Sequence, residues 1–533
     1  MEKHDSASAL SAALKGRSRT RVLGLTFDDA VRYFFGGNAA VAVVVLFLIL
    51  IFLLKEGAGF FEMNASNLNV YRRAGLEYVD LMRRPLEQFS TLTRGINEAR
   101  LARFKALLAS GKDVEAANEA LKDIDAFADE FGAAAGDARG VVSDLTEAVS
   151  AVKVRAQVSA DKELERDMLL HAGRKEEAAA VKVDAVDFAA EIKVLMGASA
   201  GWKPAAEAFA SGISKSMAKA RGAHWAKGDQ LLSSTLEKAD VFLKTLPEVE
   251  KRLAAWRYDE PVPFHRSFTA FMFGREWLTA SFWQDWYGLL PLLSGSLLVS
   301  AIAMLFAVPL AISAAIYVAE VATPKEKALI KPYIEFISAI PSVVLGFFGV
   351  AVLGTALRSF SEVSWLQWVP GFPMSERLNS LTAGLLLALA SIPTIFSLAE
   401  DALTNVPKHF KEASFALGAT RFQTLVRVLV PAALSGIISA VLLGFGRVIG
   451  ETMVVLLCAG NRIAIPDFTE GLGAFFQPVH TMTGIIAQEM GEVAQGSIHY
   501  RALFMVGIFL FLISLVINYV AQRVVSRYKI SIG

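Results

Sequence analysis

Two ionisable residues stand four apart in an otherwise apolar stretch, Gly446-Arg447-Val448-Ile449-Gly450-Glu451-Thr452-Met453. That spacing predicts one helix face on which Arg447 and Glu451 pair. A charge at the centre of a bilayer costs roughly 2.5–3.5 kcal/mol on insertion scales. A pair flanked by Leu442, Leu443, Val454 and Leu456 therefore needs a bundle interior or a water-filled path. An ion pair that only fixes helix packing is the plain reading. A pathway is the favoured one, because intramembrane ionisable groups usually mark pathways. The arginine fork matches a tetrahedral oxyanion. Ionised glutamate only accepts hydrogen bonds, so it favours an anion that keeps a hydroxyl proton. Hydrogen phosphate has such a proton and sulfate has none. Arg447 is expected to attract the anion and Glu451 to screen its protonation, with Thr452 lining the same path.

A second pattern reads Glu412-Ala413-Ser414-Phe415-Ala416-Leu417-Gly418, then Val428-Leu429-Val430-Pro431. Small residues let a short helix fit closely into a groove on another protein. Gly418 permits a sharp turn, and Pro431 is expected to open the next helix. An amphipathic connector with a chance Glu-Ala pair is the alternative. No Gly-x-x-x-x-Gly-Lys-Ser/Thr phosphate loop occurs in the chain, so nucleotide hydrolysis is assigned to a partner, and an enzyme is not expected. No cofactor, metal-ligand cluster or nucleophile constellation is read from the sequence. The single Cys458 excludes an intrachain disulfide framework and reads as a packing residue. His480 and His499 read as solvated loop histidines. Pro309, Pro341 and Pro393 read as kinks within spans, eased by neighbouring helices.

These residues need elements to hold them. The chain is 54% hydrophobic with a net charge of +1. The apolar residues are gathered in unbroken blocks, which points to a membrane protein, and no global field points to nucleic acid. A helix needs about 20 apolar residues to cross a hydrocarbon core. The first run, 39–54 with Phe34 and Phe35 before it, is read as an uncleaved span (34–57) and not as a secretory signal, since Lys55-Glu56-Gly57 is no cleavage site. Further runs at 291–318, 334–357, 381–398, 432–458 and 503–524 bring the total to six. An alternating path places four basic groups on the cytoplasmic side, as the positive-inside rule requires. They are the N-terminal arm 1–33 (Arg17, Arg19, Arg21, Arg32); Lys325, Lys327 and Lys331; Lys408, Lys411, Arg421 and Arg427; and Arg523, Arg527 and Lys529. Segment 63–260 is polar, with apolar stripes at helical spacing: Leu121-Ile124-Ala128-Phe131, Val142-Leu145-Val149-Val152 and Leu232-Leu236-Ala239-Leu243-Leu246. Such faces cannot be buried alone, so an extracytoplasmic helical bundle is expected. The aromatic segment 264–290, with Trp277, Trp283, Trp286 and Tyr287, is expected at the headgroup layer. The expected architecture is an all-α membrane protein with a core of five spans over 291–527, which includes the loop 400–431.

The coupling pattern resembles the cytoplasmic signature of ABC-importer permeases, with Ser414 in place of the second alanine. Gly-Arg-x-x-Gly-Glu-Thr-Met is similar to the fifth span of the C-type permease of the phosphate-specific transport system. Ile340-Pro341-Ser342-Val343-Val344 and the stretch 480–523, with Glu489-Met490-Gly491-Glu492, Gly496-Ser497 and Asn518, are similar to it too. The resemblance covers about half the chain. It implies that the element 412–431 docks on an ATPase through Glu412, Ala413, Gly418 and Pro431. It also implies a second permease, two ATPase subunits and a periplasmic phosphate-binding protein as partners, in the bacterial inner membrane. The long helical insertion departs from the family pattern. Another oxyanion (phosphonate, sulfate, molybdate) is the near alternative, and a phosphate-status sensor using the insertion is the distant one.

Overall fold

A computed structural model describes residues 27–528 except 224–228, 280, 282 and 367. Arg17, Arg19, Arg21 and Lys529 fall outside the described residues. The chain divides into two compact units, one made of residues 1–60 and Pro291–Gly533, the other Phe61–Leu290.

Among the described residues, six helices are long and apolar enough to cross a membrane: Val31–Arg73, Leu290–Val321, Ser342–Ser361, Ser380–Thr404, Arg421–Ile449 and Ile498–Val524. The first runs on to Arg73, well past the expected 57, and the third and fifth also depart from their expected bounds. The third starts only at Ser342, because the apolar residues from 334 onward finish a separate helix, Pro324–Ile337. Pro341 is the cap of the span and not a kink inside it. The fifth starts eleven residues early, at Arg421, and stops at Ile449, after which Met453–Cys458 forms a short helix of its own. Pro309 and Pro393 do lie inside helices.

Small residues set the packing of the membrane unit. Ala303, Ala307, Ala311 and Ala315 recur at i+4 on the second span and are all fully buried. The last three meet Ile395, Phe396 and Ala399 of the fourth span and Ala433, Ile437 and Ala440 of the fifth. With lipid outside, the gain comes from close van der Waals fit, which small side chains allow. Gly295 takes this furthest: a Cβ there would stand 2.1 Å from the carbonyl oxygen of His480.

The second unit has its own core. Helices Leu76–Ala109, Lys122–Ala133, Gly136–His171, Trp202–Gly222 and Gln230–Ala255 enclose the rings of Phe89, Phe131, Phe209 and Phe242. Phe89 lies 4.9 Å from both Phe131 and Phe209. Val142, Leu145, Val149, Val152, Leu232, Leu236 and Ala239 are buried in the same core. Part of the aromatic segment is packed inside the protein. Trp277, Trp283 and Tyr287 are buried, and the Trp283 indole donates to Asp80 Oδ1 at 3.0 Å. The Tyr71 hydroxyl donates to the same carboxylate, and Arg83 pairs with it at 3.0 Å. The buried tryptophan N–H thus has its acceptor. Lys153, 1% exposed, donates to the Ser281 carbonyl at 3.2 Å.

Candidate functional site: the fifth span and its leading loop

The fourth span ends at Thr404, and Pro407 caps a helix, Lys408–Ala416. Glu412 and Ala413 lie exposed on it. Its end is a left-handed turn. Gly418 has φ +81° and donates to Phe415 O at 2.9 Å, while Ala419 donates to Ser414 O at 3.2 Å. This is the hydrogen-bond pattern with which glycine ends helices. Leu417, at the apex, is 89% exposed, and Phe422 beyond it is 72% exposed. Two large apolar side chains presented this way suit a protein groove better than water.

Ser414, the departure from the family pattern, is buried. Its hydroxyl lies 2.9 Å from that of buried Thr424, so the connector helix is fastened to the start of the fifth span. That start is built by Thr420, which forms a capping box with Gln423. Pro431 therefore does not open the helix. It stands inside a continuous helical run, just after a π turn at Leu425–Leu429. A proline lacks the N–H that the i−4 carbonyl would accept, and a π turn in the preceding residues rearranges the ladder where that bond is missing. Between this run, the connector helix and Glu320–Val321 lies a cavity of about 480 Å³, lined by Lys411, Phe415, Arg421, Phe422 and Leu429 among others.

Arg447 and Glu451 do not share a helix. The ladder of the fifth span ends at Ile449, and Glu451 lies in an unwound turn with Thr452 before the helix Met453–Cys458 begins. Among the described residues Arg447 and Glu451 form no ion pair. Arg447 is exposed on the single chain, while Glu451 and Thr452 are half-buried. The Glu451 carboxylate accepts from the Thr452 amide at 3.2 Å, and the Glu451 carbonyl accepts from Thr483 Oγ1 at 2.8 Å. Gly450, which donates to Gly446 O at 3.3 Å, is the residue at which the helix gives way.

His480 is not solvated. It is 1% exposed, its Nε2 lies 3.0 Å from Gln488 Oε1, and its Nδ1 accepts from the Thr481 amide at 3.0 Å. An accepting Nδ1 makes the ring neutral, with the proton on Nε2. His499 lies 2.7 Å from Glu489. Cys458 is buried, its thiol 3.2 Å from the Gly346 carbonyl. Sequence reading missed two groups near the connector. Glu400, 3% exposed in its side chain, is paired with Lys327 and Lys331, and Glu320 is paired with Lys411. The signal was a carboxylate at each edge of an apolar run, but the lysines were read only for topology.

A family model described as "Binding-protein-dependent transport system inner membrane component" matches residues 307–530. The probable ABC transporter permease protein YqgH of Bacillus subtilis (strain 168) is 36% identical over 46% of this chain and 78% of its own. The phosphate transport system permease protein PstC of Pasteurella multocida (strain Pm70) is 30% identical over 48% of this chain and 81% of its own. That of Mesorhizobium japonicum is 31% identical over 49% and 81%. A chain of the inward-facing MetNI methionine ABC transporter aligns at 18% identity over 45% of this chain and 94% of its own, with a TM-score of 0.33, a likeness too slight to carry the fold. The matched region holds the connector helix, the broken fifth span and the last span, and the chain belongs to the binding-protein-dependent inner-membrane family, as a multi-pass ABC-importer permease similar to the PstC proteins.

Proposed function

We propose that the chain is one half of an import path for inorganic phosphate, driven by ATP hydrolysis on separate subunits. The unwound turn at 450–452 carries this reading. Irregular backbone at membrane depth persists only where it is buried in protein or lines a water-filled cavity, and transporters place substrate sites at such breaks. Arg447 stands one turn before the break, and Glu451 and Thr452 are in it. Loss of the expected ion pair strengthens the case, because an arginine not neutralised by Glu451 is free to meet an anion. Its exposure on the single chain calls for water or a second permease opposite. Glu451 then selects an anion that still donates a hydroxyl proton. The likeness to the PstC phosphate permeases supports phosphate.

The connector helix with Glu412, Ala413 and Gly418 docks on an ATPase subunit, and Pro431 marks where its motion enters the fifth span. Alternating access follows when the two permease halves rock about the turn. Both termini lie in the cytoplasm, the unit over 63–260 lies outside, and a periplasmic binding protein delivers the anion there. The deciding experiment is Arg447→Gln in the assembled complex. Phosphate uptake is expected to vanish with the ATPase still bound, and normal uptake would refute the pathway. Excess sulfate is expected not to compete, and if it outcompetes phosphate the protonation argument falls.

A further inference from the structure

Two carboxylates sit at the end of the membrane unit that carries the connector helix, and neither belongs to the pathway or to the docking surface. Glu400, in the last turns of the fourth span, takes two ammonium groups: Lys331 Nζ at 2.7 Å and Lys327 Nζ at 3.1 Å. The lysines are four apart on the helix Pro324–Ile337, so they share a face. Glu320 lies in the π turn Tyr317–Val321 that closes the second span. It pairs with Lys411 of the connector helix, the two side chains being 14% and 39% exposed. Thr323 caps the helix Pro324–Ile337 directly after that turn. Both carboxylates therefore bridge elements that the chain does not join directly.

We propose that Glu320 and Glu400 are positioning residues that make the connector helix and the ends of the second and fourth spans move as one body. The proposal rests on the ATPase-docking reading above. The connector helix is held by the chain through Asn405, Val406 and Pro407 to the fourth span, by Ser414–Thr424 to the start of the fifth, and by Lys411–Glu320 to the second. Without the Lys411–Glu320 hold, a push on Lys408–Ala416 reaches only the spans on either side of the connector in the chain. With it, the push reaches the second span as well. Glu400 and its lysines keep the helix between the second and third spans in register with the fourth. The chemistry suits a joint that must not open. A carboxylate as buried as Glu400 would be left uncompensated if its lysines moved away. A pair with little water access is screened less than a surface pair.

The test uses the complex co-expressed with its second permease, ATPase and binding protein and reconstituted in proteoliposomes. Uptake of radiolabelled inorganic phosphate and ATP hydrolysis are measured on the same vesicles. Glu320→Gln is expected to leave the ATPase bound and hydrolysing, and to lower phosphate imported per ATP by about fivefold or more. Lys411→Gln is expected to lower the same ratio, and the double variant to be no worse than either single. The exchanged pair, Glu320→Lys with Lys411→Glu, is expected to recover at least about half of the ratio. An unchanged ratio in the singles overturns the proposal. So does an exchanged pair as poor as the singles, the result of a purely structural role. If Glu320→Gln does not accumulate, Glu320→Asp reads the same ratio with a shortened reach, and no loss there overturns the proposal equally. Gly418→Val separates the two readings. If it uncouples while Glu320→Gln does not, the positioning role falls alone. If it alters neither ATPase retention nor the ratio, docking falls and the positioning role with it.

Discussion

Ser414 stands where the family signature has alanine, and its hydroxyl has a partner of its own. Its partner Thr424 is 1% exposed, so Ser414→Ala strands a buried hydroxyl at a cost of about 1–2 kcal/mol. The measurement is the thermal midpoint in detergent, and adding Thr424→Val is expected to recover most of the loss. Glu77 gives a pH dependence in the second unit. It is paired with Arg72 at 2.6 Å and Arg266 at 2.9 Å and accepts from the Trp256 indole at 3.2 Å. Burial pushes its carboxyl up, but the hydrogen bonds and charges of Arg72 and Arg266 prevail and hold it below the ordinary glutamate range. A lowered folded-state value means stability that is present above the unfolded glutamate value of about 4.3 and is lost as pH falls through the folded value. Glu77→Gln is expected to flatten that acid limb and to cost about 3 kcal/mol at neutral pH, read from melts of the full chain across pH. At this scale Arg447, Glu451 and Thr452 stood out in the sequence as residue types, but their geometry was not legible there. A spacing of four places two residues on one face only if the helix continues, and here it stops between them.

Helices show which signals carry. Length and apolarity located six spans because bilayer thickness leaves little freedom. Their ends were less legible wherever an amphipathic helix abuts an apolar run, as Pro324–Ile337 abuts the third span. The partner of Trp283 was not legible, because Asp80 lies 203 residues away from it in the chain. Two glycines carry predictions here. Gly418 at φ +81° disfavours any side chain by about 1–2 kcal/mol, so Gly418→Val is expected to weaken ATPase retention in pull-down before it affects the amount of protein in the membrane. Gly295→Ala puts a methyl group against the His480 backbone, and overpacking of this kind costs about 1–3 kcal/mol. A lowered midpoint in detergent, with the loop around His480 newly open to protease, is the expected result.

Considered whole, the chain joins two units with separate hydrophobic cores. The core of the second runs from Tyr71 to Trp283, while clusters of the first run from Leu298 to Val479 and from Ala307 to Ala440. Replacing Phe61–Leu290 with a short Gly/Ser linker is therefore expected to leave a folded, monodisperse membrane unit in detergent, and aggregation would contradict it. Stripes such as Val142, Leu145, Val149 and Val152 made the helices of the second unit legible, but helical spacing says nothing about which stripes meet. The link at Glu77 bears on how this unit comes to exist at all. Trp256 and Arg266 reach Glu77 from 179 and 189 residues further along the chain, so during synthesis the carboxylate waits for nearly the whole unit to be made. Until then only nearer contacts are available, such as Arg100 with Asp125 and Phe89 with Phe131. Short closures form early and long ones late. The first residues of the unit are thus secured by its last, and a chain that stalls before Trp256 holds its early helices together without the clasp.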